Sequence, residues 1–232
     1  LIKPLVASIS KEDCNPHLVK CAVTEVRVPF SKEQGLLYQK CLNHNNLVGV
    51  KPEYRILAQG NVLRGVCADP ASSEYNINPV MCRTNYTPKI HVTMDLIIKI
   101  LKAGEQVIVV SSRKGITDEI ESRLRVLKVP YSRIDSSVDT KDHSRQAAEF
   151  KAQDSKVLLM GIKLAQGYSF DLCRNLILTS LEWSSVTREQ AFGRHFRITS
   201  KRDVRVWCIL NSGSLEEDMY QRVCMKESAS SL

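Results

Sequence analysis

Three side chains near residue 190 have the types and spacing to hold a phosphate group. Gln190, Arg194 and Arg197 fall at positions i, i+4 and i+7, which places them on one face of a helix. Because a planar guanidinium matches two phosphate oxygens at once, the two arginines predict a phosphate clamp. The alternative is a solvated basic face, although the interleaved Ala, Gly and Phe are unlike such a face.

Two arginines do not by themselves make a nucleotide-binding or catalytic site, and the sequence lacks the common motifs that would complete one. It contains no G-x-x-x-x-G-K-[ST] loop, so it has no P-loop of its own. It also lacks a G-x-G-x-x-G after a strand, a G-x-S-x-G elbow and an H-E-x-x-H helix. These absences argue against a dinucleotide oxidoreductase and against a self-contained nucleotide-hydrolysing site.

The first part of the chain predicts one extended stretch followed by two helices. Residues 17–30 alternate apolar and polar side chains, as a strand does. Residues 31–43 predict a helix that Ser31 caps, with Gln34 three positions later as in a capping box. Residues 54–67 predict a second helix, and 68–79 a loop.

From about residue 86, strands alternate regularly with helices. Strands are predicted at 106–112, 130–135, 156–160, 175–180 and 203–210. Helices are predicted at 91–104, where Gly104 ends the helix, and at 140–151 and 187–197. Another is marked by the apolar spacing of Ile116, Ile120, Leu124 and Leu127. The last is predicted at 214–223, with a capping box from Ser214 to Glu217. This order predicts an α/β fold, a parallel sheet with helices on both faces, preceded by a smaller helical segment. Ligands of such sheets bind at the carboxyl ends of strands, so the loops after 112, 135, 160 and 180 are the expected binding loops.

The composition and net charge indicate which kinds of partner the protein is suited to bind. Lys and Arg number 33 against 25 Asp and Glu, a net charge of +8, which suits a polyanion such as nucleic acid or simply a soluble basic surface. The eight cysteines have neither C-x-x-C pairs nor zinc-finger spacing, which predicts reduced thiols in an intracellular protein and no metal site. No apolar run is long enough to span a membrane.

The motifs, taken in order, resemble those of superfamily-two helicases. The Q-x-x-x-R-x-x-R pattern with the ending RITSKRDVRVW resembles motif VI of the SWI/SNF-type branch, which translocates along double-stranded DNA. KVLLMGIKLAQGYSFDL resembles motif V, VIVVSSRKG resembles motif IV, and the D-S-S at 135–137 stands where the family has D-G-S. The resemblance extends from about residue 20 to 223 and implies the second, C-terminal RecA-like lobe of such an ATPase.

The resemblance implies roles for the residues that match its motifs. Arg194 and Arg197 would be arginine fingers on the γ-phosphate of ATP, with Gln190 positioning them or the attacking water. Gly167 and Asp171 would lie beside the nucleotide. The Mg²⁺ that accompanies ATP would be held by the first lobe, which this sequence does not match, so the chain alone is expected to be inactive.

The same resemblance implies contacts with double-stranded DNA on the strand-end loops. Hydroxyls, basic side chains and free backbone amides there suit phosphate oxygens. The candidates are Ser112, Arg113, Lys114, Ser136, Ser137, Lys163 and Trp183.

The predicted organisation has three parts: a lead-in strand and helical segment (1–85), the RecA-like lobe (86–215) and a C-terminal helix and tail (216–232). The expected partners are double-stranded DNA, the N-terminal lobe and other proteins of a larger complex, with no membrane. An intracellular site is expected, cytoplasmic in a bacterium or phage and nuclear in a eukaryote. Two alternatives stay open: a non-catalytic binding module derived from such a lobe, and a lobe of a strand-separating helicase.

Overall fold

A six-stranded parallel sheet and six helices make up the described part of the chain. The computed structural model describes residues 21–43, 51, 54–71, 82–164, 168, 170, 173–180 and 203–230, with no side chains for 21 and 223–230. The strands are β1 (Cys21–Val28), β2 (Val107–Ser111), β3 (Tyr131–Ile134), β4 (Val157–Gly161), β5 (Asn175–Leu178) and β6 (Val204–Asn211). The helices are α1 (Lys32–Asn43), α2 (Arg55–Ala68), α3 (Pro88–Lys102), α4 (Lys114–Val126), α5 (Thr140–Lys151) and α6 (Leu215–Ser230).

The strand order is β1-β6-β5-β2-β4-β3, and every pair is parallel. The central strand β2 is buried along its whole length, because helices cover both faces of the sheet. Ile108 and Val110 point to the face that α5 and α6 cover, whereas Val107 and Val109 point to the face that α3 and α4 cover. Burial of each of these side chains contributes roughly 1.5–3 kcal/mol to the free energy of folding. The predicted fold class is confirmed.

Helix α3 begins three residues earlier than the sequence pattern predicted. Thr87 is its N-cap and accepts a hydrogen bond from the Ile90 amide, and Pro88 occupies the first helical position. After the last turn, Gly104 adopts a φ of +74°, so the predicted stop is confirmed. The early start places Lys89 in the first turn of the helix.

Helices α1 and α2 pack on each other through a third apolar cluster, which includes Leu37, Tyr38, Val66 and Cys67. Ser31 caps α1 by accepting from the Gln34 amide at 3.2 Å. The reciprocal half of the predicted capping box is wrong. The Gln34 side chain instead donates to the Val66 carbonyl at 3.0 Å, because it is fully buried against α2.

The N-terminus of α6 also departs from the predicted capping box. Ser214 Oγ accepts from the amide of Glu216, and Glu217 accepts from the amide of Gly213. The intervening Glu216 turns into the protein interior. Among the described helices, none is long and apolar enough to cross a membrane.

The first and last predicted parts of the chain both contact the sheet. Strand β1 pairs with β6 along its length, and Met219 and Tyr220 of α6 lie in the core. The divisions at residues 85 and 215 stay predictions.

Candidate nucleic-acid interface

A cleft of about 580 Å³ opens at the carboxyl ends of β2, β3 and β4. Parallel strands bring these ends to one edge of the sheet, which is where the sequence placed the binding loops. The lining residues come from the ends of these strands, the loops after them and the first turns of α4 and α5: Ser111, Ser112, Arg113, Lys114, Thr117, Asp135, Ser136, Val138, Thr140, His143, Gly161, Ile162, Lys163 and Leu164.

Five of the predicted DNA contacts lie together in this cleft, namely Ser112, Arg113, Lys114, Ser136 and Lys163. Ser137 does not line it. Both its amide and its hydroxyl donate to Asp135 Oδ1, at 2.9 and 2.5 Å, so the side chain is turned toward the wall of the cleft.

Three serine hydroxyls hold the loop that follows β2. Ser180 Oγ accepts from the Ser112 amide at 2.6 Å and lies 2.9 Å from Ser112 Oγ and 3.3 Å from Ser111 Oγ. Ser111 Oγ in turn accepts from the amide of Arg113 and donates to its carbonyl, each at 3.0 Å. The amides of Ser112 and Arg113 are therefore already used within the loop. Contacts with a phosphate from this loop would come from side chains and from the start of α4.

The two basic residues of this loop differ in their surroundings. Arg113 donates to the Asn61 carbonyl of α2 at 2.9 Å, which ties the helical segment to the cleft. The Lys114 side chain is 60% exposed, and its Nζ lies 3.9 Å from Asp118, at the limit of an ion pair. Lys114 is thus available to a ligand, whereas Arg113 also has a structural contact.

Gly115 allows α2 to approach the start of α4. A Cβ at this position would lie 2.4 Å from the Cβ of Asp69, closer than two carbon atoms can approach. A side chain here would push the two segments apart.

Asp135 anchors the loop that follows β3. Its Oδ2 accepts from Arg133 Nε and Nη2 at 2.8 and 2.6 Å, and Arg133 also contacts Asp118 at 2.7 Å and Glu121. Burial alone would raise the pKa of Asp135, but hydrogen bonds from Arg133 and Ser137 outweigh it and lower that pKa. The carboxylate therefore stays ionised, and Arg133 compensates its charge.

His143 closes the same loop from α5. Its Nε2 lies 3.1 Å from the carbonyl oxygens of both Asp135 and Val138, so this nitrogen carries the proton and donates to them. Sequence reasoning missed His143, Thr140 and Ser180. The D-S-S and T-K-D-H segments were visible, but only the sheet topology brings them to one edge.

The cleft favours an anion. Arg113, Lys114 and Lys163 face it, and the Asp135 charge among its lining residues is paired with Arg133. Helices α4 and α5 both begin at its rim, so the positive ends of two helix dipoles point toward it.

The remaining predicted site residues lie outside the described residues: Gly167, Asp171, Trp183, Gln190, Arg194 and Arg197. Across the described residues, no group of three His, Cys, Asp or Glu side chains could hold a metal ion. Cys41, Cys67, Cys82, Cys173 and Cys208 are buried free thiols.

Comparison with known proteins shows which proteins the chain resembles. The "helicase conserved C-terminal domain" model matches residues 89–199. CHROMATIN REMODELING 8 of Arabidopsis thaliana is 25% identical over 97% of the chain, and the transcription regulatory protein SNF2 of Saccharomyces cerevisiae is 23% identical over 97%. Along nearly its whole length the chain is thus similar to SNF2-type proteins, and residues 89–199 match the helicase C-terminal domain.

Solved structures of SNF2-type ATPase C-terminal domains share the fold of this chain. The C-terminal part of the Fun30 ATPase domain has a TM-score of 0.70 at 15% identity, covering 88% of this chain and 89% of that one. The C-terminal domain of the Sulfolobus solfataricus SWI2/SNF2 ATPase has a TM-score of 0.66 at 18% identity, covering 90% and 87%. The chain spans 20% and 14% of the length of the Arabidopsis and yeast relatives above.

Proposed function

We propose that this lobe is the second motor lobe of an ATP-driven translocase on double-stranded DNA, and that the cleft binds the DNA backbone. The observation that carries the proposal is the meeting of Ser112, Arg113, Lys114, Ser136 and Lys163 at one edge of the sheet. Phosphate contacts position a protein on a duplex without reading its sequence, and hydroxyls, cations and helix N-termini are the groups that make them.

The nucleotide half of the proposal rests on motif VI. Arg194 and Arg197 would neutralise charge on the γ-phosphate, Gln190 would position them or the attacking water, and Gly167 and Asp171 would lie by the nucleotide. ATP and Mg²⁺ would be held mainly by the N-terminal RecA-like lobe. A relative named "probable ATP-dependent DNA helicase CHR23", 26% identical over 71% of the chain, supports ATP as the nucleotide that is hydrolysed.

Relatives also suggest where the complete protein works. One yeast relative, 23% identical over 97% of the chain, is named a nuclear protein, and a rice relative is named for DNA repair and recombination. We place the complete protein in the nucleus, in company with other proteins of a larger complex.

ATP turnover by the full-length gene product, with and without duplex DNA, tests this function. DNA-stimulated turnover is expected in the wild type, and Arg197→Ala should lower it by about 10³-fold or more, as loss of an arginine finger does. Arg145→Ala is the matched control, because Arg145 lies on the exposed face of α5 and pairs only with Asp142 and Glu149 among the described residues. Turnover equal in wild type and Arg197→Ala would overturn the finger role.

Strand displacement separates translocation from unwinding. The proposal predicts turnover on a duplex without release of a labelled strand. Salt-sensitive DNA binding with no turnover at all would instead favour a non-catalytic module.

A further inference from the structure

A buried ion pair joins helices α3 and α6 in the protein interior. Lys89 is 0% exposed, and its Nζ lies 2.8 and 2.6 Å from the two carboxylate oxygens of Glu216. Glu216 Oε2 also accepts from the amide of Asn211 at 2.9 Å. The pair therefore joins the first turn of α3 to the first turn of α6 and to the end of β6.

The Lys89 ammonium has a third acceptor, on the residue before Ser180. Nζ lies 3.3 Å from the carbonyl oxygen of Thr179, the residue that follows β5. A Lys ammonium has three donors, and here each has an acceptor. The Thr179 carbonyl belongs to the same planar peptide as the Ser180 amide, so this bond fixes the plane from which Ser180 departs.

Ser180 then reaches the cleft itself. Its Oγ accepts from the Ser112 amide at 2.6 Å, and Ser112 lines the cleft beside Arg113 and Lys114. Thr179 is held in place by its own amide and hydroxyl, which both donate to the Val110 carbonyl. A continuous path of hydrogen bonds and one peptide bond, between Thr179 and Ser180, thus runs from Glu216 through Lys89 to the loop after β2.

Stability alone is a weak reason for such an arrangement. Taking two charges out of water costs several kcal/mol per ion, and well-packed apolar residues of similar size often serve stability equally well. An apolar replacement would lack the directed hydrogen bonds that the pair makes to the Asn211 amide and to the Thr179 carbonyl. The bond to the Thr179 carbonyl is the one that leads toward the cleft.

We propose that Lys89, Glu216 and Ser180 are positioning residues that set the geometry of the 111–114 loop for phosphate binding. This inference rests on the proposed DNA-binding role of the cleft. It adds that the loop owes its geometry to a charge pair that itself never meets the DNA.

The test is the salt dependence of duplex DNA binding by the full chain. The slope of log K against log[salt] reports the number of phosphate contacts, at about 0.9 per contact. Ser180→Ala should weaken binding about fivefold, as loss of a buried hydrogen-bond partner does, and lower the slope by about one contact. Ser132→Ala is the matched control. It removes a buried serine pair, with Ser155 at 2.7 Å, near the start of β3 and away from the residues that line the cleft.

The double variant Lys89→Met/Glu216→Leu separates positioning from stability. It should keep most of the wild-type stability, yet bind DNA with the same loss of affinity and slope as Ser180→Ala. Wild-type binding by the double variant would overturn the inference. If the double variant does not fold, Glu216→Gln replaces it, with the same expected direction and the same overturning result.

Lys163→Ala makes failure of the inference distinguishable from failure of the proposed function. Lys163 lines the cleft directly. A lower slope for Lys163→Ala, with unchanged slopes for Ser180→Ala and for the Lys89/Glu216 double variant, would overturn the positioning role and leave DNA binding by the cleft intact. Equal, salt-insensitive binding by all proteins would overturn both.

Discussion

Two basic side chains, Lys89 and Arg133, hold opposite sides of the cleft in different ways. Lys89 and Glu216 are 0% and 3% exposed and share one pair of charges. Arg133 is 8% exposed and faces three carboxylates, of which Asp118 is 48% exposed. In the first arrangement each charge has a single charged partner. In the second, one cation is shared among three acids, of which Asp118 is open to water.

The two arrangements therefore differ in how much the loss of one charged partner destabilises the protein. Around Arg133, loss of one acid leaves two others, and an acid that loses Arg133 can regain water or a second cation, as Glu121 has in Arg125 at 2.5 Å. Around Lys89, a remaining Glu216 would stay buried with a charge that nothing compensates.

The largest loss of stability is expected at Lys89. Lys89→Met should lower the free energy of unfolding by about 3–5 kcal/mol, because it leaves the Glu216 carboxylate buried and unpaired. Urea unfolding of the full chain measures this. Adding Glu216→Leu should recover most of the loss, and a single-variant cost under about 1 kcal/mol would contradict the dependence described here.

A smaller loss is expected at Arg133. Arg133→Gln removes hydrogen bonds to charged groups but leaves acids that can rehydrate, so a cost of about 1.5–3 kcal/mol is expected. Arg145→Gln, which makes the same charge change at an exposed ion pair, should lower the free energy of unfolding far less in the same urea measurement. Equal costs for the two arginine variants would show that burial gives Arg133 no special role.

Acid should narrow the difference between wild type and Arg133→Gln. Burial would raise the pKa values of Asp135 and Glu121, but their hydrogen bonds, chiefly with Arg133 and with Tyr131, lower them in the folded state. Stability from these groups is therefore present above their unfolded pKa values of about 4 and is lost as pH falls through the lowered folded values. Unfolding measured at about pH 6, 4 and 3 checks this, and a gap that stays constant to pH 3 would contradict it.

Much of the fold could be predicted from the sequence because local patterns were sufficient. The run from Val107 to Ser111 is apolar enough to be a strand buried on both faces, and Ile116, Ile120 and Leu124 lie on the buried face of α4. Leu127 continued that pattern in the sequence but is half-exposed, because the helix ends before it. Strand alternation then placed the cleft at the correct edge of the sheet.

The pairings that hold the cleft could not be predicted, since they join distant residues. Lys89 meets Glu216 across 127 positions, and Ser112 meets Ser180 across 68. A lysine after Thr-Pro at the start of a helix is typical of a solvated position, and nothing local indicates its burial. Gln34 is the same kind of case, because its spacing from Ser31 fitted a local capping box while its true partner lies on α2.

The pairing of β1 with β6 has a consequence for synthesis on the ribosome. Strand β1 emerges before the other described strands, and its only sheet neighbour among them follows Asp203. At about 5–20 residues per second, the residues from Pro29 to Asp203 take on the order of ten seconds or longer to add. Throughout that interval the backbone of β1 lacks its native hydrogen-bonding partner, so this strand is where the nascent chain most needs protection from aggregation.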